Sequence, residues 1–240
     1  MDISLVIPFY NPGPVLRTTV ERSVAALRET GAAFEVIAVS DGSTDGSEAS
    51  LVGVAPGIVS TLITSSNRGK GHAIRMGLSQ ASGHFVGFLD ADGDIPPEQL
   101  VDFVGVALSE EPAIVFGSKR HPHSEVVVPP IRLLYTWGYR GLVRVLFHLS
   151  VPDTQTGIKL VREDAWSAIA PRMKEERFAF DLELFVLARE LGFESIRELP
   201  VRLDKRYSST ISLRTTRSIL WDTLKIAWRH RKAGRALRQG

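Results

Sequence analysis

Phe85-Val86-Gly87-Phe88-Leu89-Asp90-Ala91-Asp92-Gly93-Asp94 is the stretch on which the reading of this chain turns. Its first half is apolar, β-branched and aromatic, and free of proline, which reads as a buried strand. It ends in three carboxylates at alternate positions, followed by Pro96-Pro97. Side chains two apart at a strand end point the same way. Asp90 and Asp92 are therefore expected to face one point, with Asp94 curling back through the flexible Gly93. Carboxylates aimed at one point repel unless a cation lies between them. Such oxygens hold hard divalent cations, Mg²⁺ or Mn²⁺, which are shared with substrate phosphates. A solvated polar turn is the other reading of the same acids.

Around this stretch, strands and helices alternate. Strands are expected at 3–8, from Phe34 to Val39, from Ile58 to Thr64, at 84–89 and from Ala113 to Phe116. Helices are expected from Pro14 to Glu29, from Gly71 to about Ser82, and from Pro97 to Leu108. That order predicts an α/β fold with a mainly parallel central sheet, right-handed crossovers and helices on both faces. Ligands of such sheets bind beyond the C-terminal strand ends. The polar loops after residues 8, 39, 64, 89 and 116 all fall at that edge.

With 240 residues, 44% of them hydrophobic and 23% charged, the chain suffices for one large domain or two small ones. The absence of cysteine excludes disulfides and thiolate metal sites, and fits a reducing compartment. Met1-Asp2-Ile3-Ser4-Leu5 lacks a basic leader, so no signal peptide is expected. No apolar run of about 20 residues predicts a membrane-spanning helix. The net charge of +2 is uneven: from Arg214 onward eight cations face one acid, Asp222, so the preceding body is net acidic. A basic tail suits an anionic membrane surface or nucleic acid.

Two further loops at the same edge carry chemistry. Asp41, in Ser40-Asp41-Gly42-Ser43-Thr44-Asp45, can accept from a base N–H or a ribose hydroxyl, or close an Asx-type turn. Asn67-Arg68-Gly69-Lys70-Gly71 brings two cations to a helix N-terminus, which suits an anion, although the spacing is not that of a P-loop. A solvated basic turn is the alternative. Asp41, the Arg68/Lys70 pair and Asp90-Ala91-Asp92 together outline a site for a base, a diphosphate and a metal.

Val6-Ile7-Pro8-Phe9-Tyr10-Asn11, Asp41-Gly42-Ser43-Thr44-Asp45 and Asp90-Ala91-Asp92 resemble the family 2 glycosyltransferases of GT-A, Rossmann-like fold. Asp153-Thr154-Gln155-Thr156-Gly157-Ile158-Lys159-Leu160 and Phe178-Ala179-Phe180-Asp181-Leu182-Glu183-Leu184 look like the polyprenyl-phosphate sugar synthases, of the dolichyl-phosphate glucose and mannose type. Asn67 to Ala73 is closer to the glucosyl branch. The resemblance covers about residues 2–205. It implies a catalytic domain over 1–210, a nucleoside-diphosphate hexose donor (UDP-glucose favoured, GDP-mannose the alternative), a divalent cation and a polyprenyl phosphate acceptor. By matching position, it implies that Pro8, Tyr10 and Asp41 hold the nucleoside and that Lys70 approaches the diphosphate. Asp90 would lie by the ribose and metal, Asp92 would ligate the metal, and Asp94 takes the place of a further metal-contacting residue. Two departures stand out: Ser40 where an Asp is usual, and Arg206-Tyr207-Ser208-Ser209-Thr210 where the family has a Gly-Ser turn.

The resemblance also implies that Lys119, Arg120 and Arg132 hold the lipid phosphate, with Lys119 where Arg is more usual; solvated loop charges are the alternative. Asp153 is either a base or a residue that positions acceptor or sugar. Residues 129–150 mix aromatics, aliphatics and arginine and suit an interfacial helix pair or ordinary core packing. Residues 211–240 read as a basic amphipathic helix with Trp221, Leu224 and Trp228 at i, i+3 and i+7, lying on a membrane or docked on the domain. The expectation is a peripheral enzyme on the cytoplasmic membrane face, moving a hexose with inversion. A glycan hydroxyl acceptor is the second reading and would need a base, Asp153 or Glu183. A nucleotide-sugar or nucleic-acid binding module is the third; carboxylates clustered at the strand end would repel nucleic acid.

Overall fold

The computed structural model describes residues 1–126, 130–147, 149, 151, 153–177, 179–204 and 220–230, with the side chains of 130–137 and 140 outside that description. The strands are β1 (Ile3–Phe9), β2 (Phe34–Ser40), β3 (Val59–Ile63), β4 (Phe85–Leu89), β5 (Ile114–Ser118), β6 (Ile158–Arg162) and β7 (Ile196–Pro200). The helices are α1 (Val15–Glu29), α2 (Lys70–Leu78), α3 (Leu100–Glu110), α4 (Pro130–Phe147), α5 (Glu163–Ile169) and α6 (Phe180–Glu190), with α7 at 220–230. One sheet runs β3-β2-β1-β4-β6-β5-β7. All its pairings are parallel except those of β6, which runs against both β4 and β5.

Side chains alternate across a strand, and the sheet uses both faces. Ile3, Leu5, Ile7 and Phe9 of β1 join Leu16, Val20, Phe103 and Val104 of α1 and α3. Val6 joins Ala73 and Ile74 of α2, with Phe88, Phe180 and Phe185, in the opposite layer. The expected mainly parallel sheet with helices on both faces is the one found.

Four local differences have physical causes. β6 and β7 were not expected as strands. β6 carries a lysine amid its apolar residues, which interrupts the apolar run a buried strand normally shows. α2 stops at Leu78 rather than about Ser82, because the chain beyond it is tied to the sheet. There Ser82 N–H donates to Glu35 Oε1 (2.9 Å) and Gly83 N–H to Ser4 Oγ (2.8 Å). α3 begins and ends two residues or more later than expected, closing on Glu111 in the left-handed region. The helix pair expected within 129–150 is one continuous helix, α4.

Glu35 makes a testable knot of this corner. It also accepts from the hydroxyls of Ser4 (2.6 Å) and Ser82 (2.8 Å). Desolvation pushes its pKa up, but these donors outweigh it and the net shift is downward. A depressed carboxylate stabilises the fold above its unfolded pKa and loses that contribution as pH falls through the folded value. Glu35→Gln is therefore expected to cost about 1 kcal/mol at neutral pH, and the gap to wild type should close in acid. Urea midpoints at several pH values would measure it.

α7 packs on the domain. Thr223 and Ile226 are fully buried, and the Thr223 hydroxyl lies 3.0 Å from that of Tyr139 on α4. Arg229 pairs with Glu175 and, at 3.0 Å, with Glu183. On its other face Trp221 is 63% and Trp228 62% exposed, beside Leu224. The domain boundary expected at 210/211, the Arg206–Thr210 turn and the cations at 214, 217, 231, 232, 235 and 238 lie outside the described residues.

Candidate active site

β1 to β5 share one direction, so their C-terminal ends meet at one edge of the sheet. β6, running the other way, begins there, and the turn at 153–157 reaches the same edge. An open cleft of about 660 Å³ lies at this edge, lined by Pro8, Tyr10, Asp41, Lys70, Asp90 and Asp92, with Asn11, Asn67 and Arg177 beside them. All residues expected to meet the nucleotide sugar thus converge on one cavity.

The cleft walls are loops braced against each other. Asn11 Oδ1 accepts from Thr44 N–H (2.7 Å), and Asp45 accepts from Gly13 N–H (2.9 Å). Asp41 is 3% exposed, and its carboxylate accepts from Arg68 N–H (3.0 Å) and Gly69 N–H (2.7 Å). It therefore anchors the 66–69 loop while lining the cleft. Its remaining lone pairs are what a nucleoside could use. Of the two cations expected at the α2 N-terminus, only Lys70 lines the cleft. Arg68 pairs with Glu176 at 2.7 Å, and the Glu176 carbonyl takes the His72 N–H (3.1 Å).

The acids follow β4 in a turn, not in the strand itself, because the β4–β6 ladder closes at Leu89↔Ile158. Asp90 N–H still donates to Gly157 O (2.9 Å). Gly157 is required there: a Cβ would come within 2.1 Å of Asp90 Oδ2. Asp90 Oδ1 lies 2.5 Å from Lys70 Nζ. Burial pulls the Lys70 pKa down, but Asp90, with Asp181 and Asp92 beyond it, outweighs burial and holds it up. Asp92 accepts from Asp94 N–H (3.0 Å) across Gly93, whose φ of 69° suits glycine. Enclosure within the cleft, then the charges of Asp90 and Asp94, push the Asp92 pKa above the usual carboxylate range.

These residues fit a hard divalent cation. Asp90 and Asp92 are carboxylates close enough to repel, opening on a cleft with room for phosphates, and such ions are often held by one or two carboxylates plus substrate oxygens. Among the described residues no set of three or more His, Asp or Glu side chains is gathered into a ready-made metal cage. Asp94 meets Asp92 through its backbone N–H.

Of the residues expected to hold an acceptor phosphate, Lys119 and Arg120 are not in the lining of this cleft. Lys119 and Arg120 are half-buried on the turn after β5. Asp153 reaches across to them: it accepts from Lys119 N–H (3.0 Å), the Thr156 hydroxyl (2.7 Å) and Gln155 N–H (3.2 Å). Arg132 is in the first turns of α4, its side chain outside the described residues. Glu183 is 1% exposed and faces the interior, where it accepts from Lys174 N–H (2.8 Å) and Glu175 N–H (2.7 Å) and pairs with Arg229.

Lys159 and Asp181 carry a role the sequence reading did not assign. Both are buried, and Lys159 Nζ donates to Asp181 Oδ1 (2.7 Å) and to Thr156 O (2.6 Å). The available signal was a lysine inside an apolar strand and an acid inside an apolar helix, since buried charges need partners.

A family model described as "Glycosyl transferase family 2" matches residues 4–168. A dolichyl-phosphate beta-glucosyltransferase of Drosophila melanogaster is 32% identical over 209 residues, covering 80% of this chain and 64% of that protein. One of Saccharomyces cerevisiae is 30% identical over 222 residues, covering 83% and 66%. The chain thus spans just under two thirds of the length of these relatives. Among solved structures, glucosyl-3-phosphoglycerate synthase from Mycobacterium tuberculosis in complex with Mn²⁺, uridine diphosphate and glucosyl-3-phosphoglycerate superposes with a TM-score of 0.69 at 18% identity, covering 94% of this chain and 80% of that one.

Proposed function

Because this chain belongs to glycosyl transferase family 2, we propose that it transfers glucose, with inversion, from UDP-glucose to a polyprenyl phosphate. The convergence of Pro8, Tyr10, Asp41, Lys70, Asp90 and Asp92 on one cleft carries this reading. The names of the relatives support glucose and a lipid phosphate, and the fold neighbour supports a uridine nucleotide with a divalent ion. GDP-mannose is the alternative donor.

In this reading Tyr10 and Asp41 bind the nucleoside, and Lys70 leaves Asp90 to meet the diphosphate. Asp90 and Asp92 would hold Mg²⁺ or Mn²⁺, which would supply charge neutralisation of the departing diphosphate. Lys119, Arg120 and Arg132 hold the acceptor phosphate. With a second pKa near about 6 that phosphate is largely dianionic at neutral pH, so its oxygen attacks the anomeric carbon without a base. The bond between the phosphate oxygen and the anomeric carbon forms as the bond from that carbon to the diphosphate oxygen breaks, and the nucleoside diphosphate leaves with the electron pair. A hydroxyl acceptor would need a base, and the two candidate acids are committed elsewhere: Asp153 to three donors and Glu183 to the interior.

The test is the 240-residue protein with UDP-glucose or GDP-mannose, a short polyprenyl phosphate and Mg²⁺ or Mn²⁺, read by mass spectrometry of the lipid. A hexosyl phospholipid is expected. Transfer to a glycan hydroxyl alone, with no lipid product, would sink the proposal.

The enzyme works peripherally on the cytoplasmic membrane face. No helix among the described residues is long and apolar enough to cross a membrane. The Trp-bearing face of α7 supports attachment, with exposed Trp221, Leu224 and Trp228 in a segment rich in cations. Trp221→Ser with Leu224→Ser is expected to lower partition onto anionic vesicles by about tenfold or more, since burying a large apolar side chain contributes about 1.5–3 kcal/mol. Both side chains are exposed, so the thermal midpoint should hold. Unchanged vesicle sedimentation would refute attachment through this face.

A further inference from the structure

We propose that Lys159, beneath the cleft, is the positioning residue that keeps the donor and acceptor sides of the site in register. The inference rests on the reading that sugar donor and phosphate acceptor meet at this sheet edge.

Lys159 sits on β6 with no exposed surface. Its ammonium lies over the Phe88 ring at 5.1 Å, donates to Asp181, and donates to the Thr156 carbonyl. That last bond ties a buried charge to the turn at 153–157. The turn has two working ends. At one, Gly157 accepts the Asp90 N–H and leaves room for its carboxylate. At the other, the Thr156 hydroxyl and Lys119 N–H share Asp153 Oδ2. Displacing the turn would therefore move Asp90 on the donor side and the Lys119–Arg120 turn on the acceptor side relative to each other.

A buried ion pair is weak evidence for stability, since well-packed apolar replacements are often neutral or stabilising. That provides a clean test. Lys159→Met alone leaves Asp181 buried without its partner, and the variant is expected to fold poorly. Lys159→Met with Asp181→Val removes both charges. Its thermal unfolding should stay cooperative, and its affinity for UDP, measured by calorimetry, should change less than about threefold, because Asp90 keeps its backbone bond to the turn and remains the main counter-charge of Lys70, to which Asp181 adds less. Its kcat should nevertheless fall by about 10²-fold, the loss expected when reacting groups are misplaced by about 1 Å. A pair that serves only the fold would instead return wild-type kcat in the double variant, and that result would overturn the proposal. A parallel loss of UDP affinity and kcat would overturn it too. Should the double variant fail to fold, Thr156→Val cuts the turn's bond to Asp153 without touching a buried charge. Reduced kcat with unchanged UDP affinity supports the proposal, and wild-type kcat refutes it. Absence of any phospholipid product from the wild-type protein marks a failure of the functional reading, not of this one.

Discussion

Asp92→Ala is expected to lower transfer by about 10²–10³-fold, the loss typical when a group stabilising charge in the transition state is removed. The fold should survive. Asp92 lies in a turn, and its loss forfeits the bond from Asp94 N–H, worth about 1 kcal/mol. A gain works against that loss. Its pKa is raised, first by desolvation at the cleft and then by Asp90 and Asp94, although the residue keeps contact with solvent. An acid raised in the folded state is a cost when ionised, present above its folded pKa and relieved as pH falls through it. The variant should therefore stay within about 1 kcal/mol of wild-type stability near neutral pH and compare less favourably in acid, where the wild-type carboxyl is neutral. Thermal midpoints from acid to neutral pH, with kcat in Mn²⁺ and in EDTA, would measure both. Wild-type turnover by the variant in EDTA would remove Asp92 and the metal from the mechanism together.

Arg120→Ala is expected to act on the other substrate. Hydrogen bonds to charged groups contribute about 1.5–3 kcal/mol, so kcat/KM for polyprenyl phosphate should fall by roughly tenfold to a hundredfold while UDP-glucose binding stays near wild type. Asp153→Asn supplies the contrast. The amide can still accept from Lys119 N–H, and a dianionic phosphate brings its own nucleophile, so measurable transfer should remain. A hydroxyl acceptor reverses the order, with Arg120→Ala mild and Asp153→Asn close to inactive. Single-turnover transfer and donor titration on the two variants decide between these outcomes.

The cleft was legible because the residues that line it are local to strand ends. Phe85 to Leu89 could only be a buried strand, and the acids after it had to emerge at the edge where the loops at 41 and 70 also emerge. What local sequence does not carry is who pairs with whom across the sheet. Nothing local to Asp41 shows that it also anchors the 66–69 loop, through its bonds to Arg68 and Gly69. Glu183 reads as a candidate base until Lys174, Glu175 and Arg229 are found around it. Lys159 looks misplaced in a strand until Asp181, on a helix 22 residues away, supplies its counter-charge. The tail offered two readings, on the membrane or on the domain. The described turns of α7 allow both at once, through different faces.

The reversed strand has a consequence for how the molecule is made. β4 and β5 are consecutive strands of like direction, joined through α3, and such units ordinarily pair side by side. Here β6 separates them and arrives some 40 residues after β5. During synthesis β1 to β4 can assemble from contacts already available, but β4 and β5 then present bare edges to each other. Unpaired edges are templates for wrong partners, and distant pairings form slowly. A β4–β5 ladder formed before β6 is made would have to be undone, and the strand that would displace it is the one carrying Lys159.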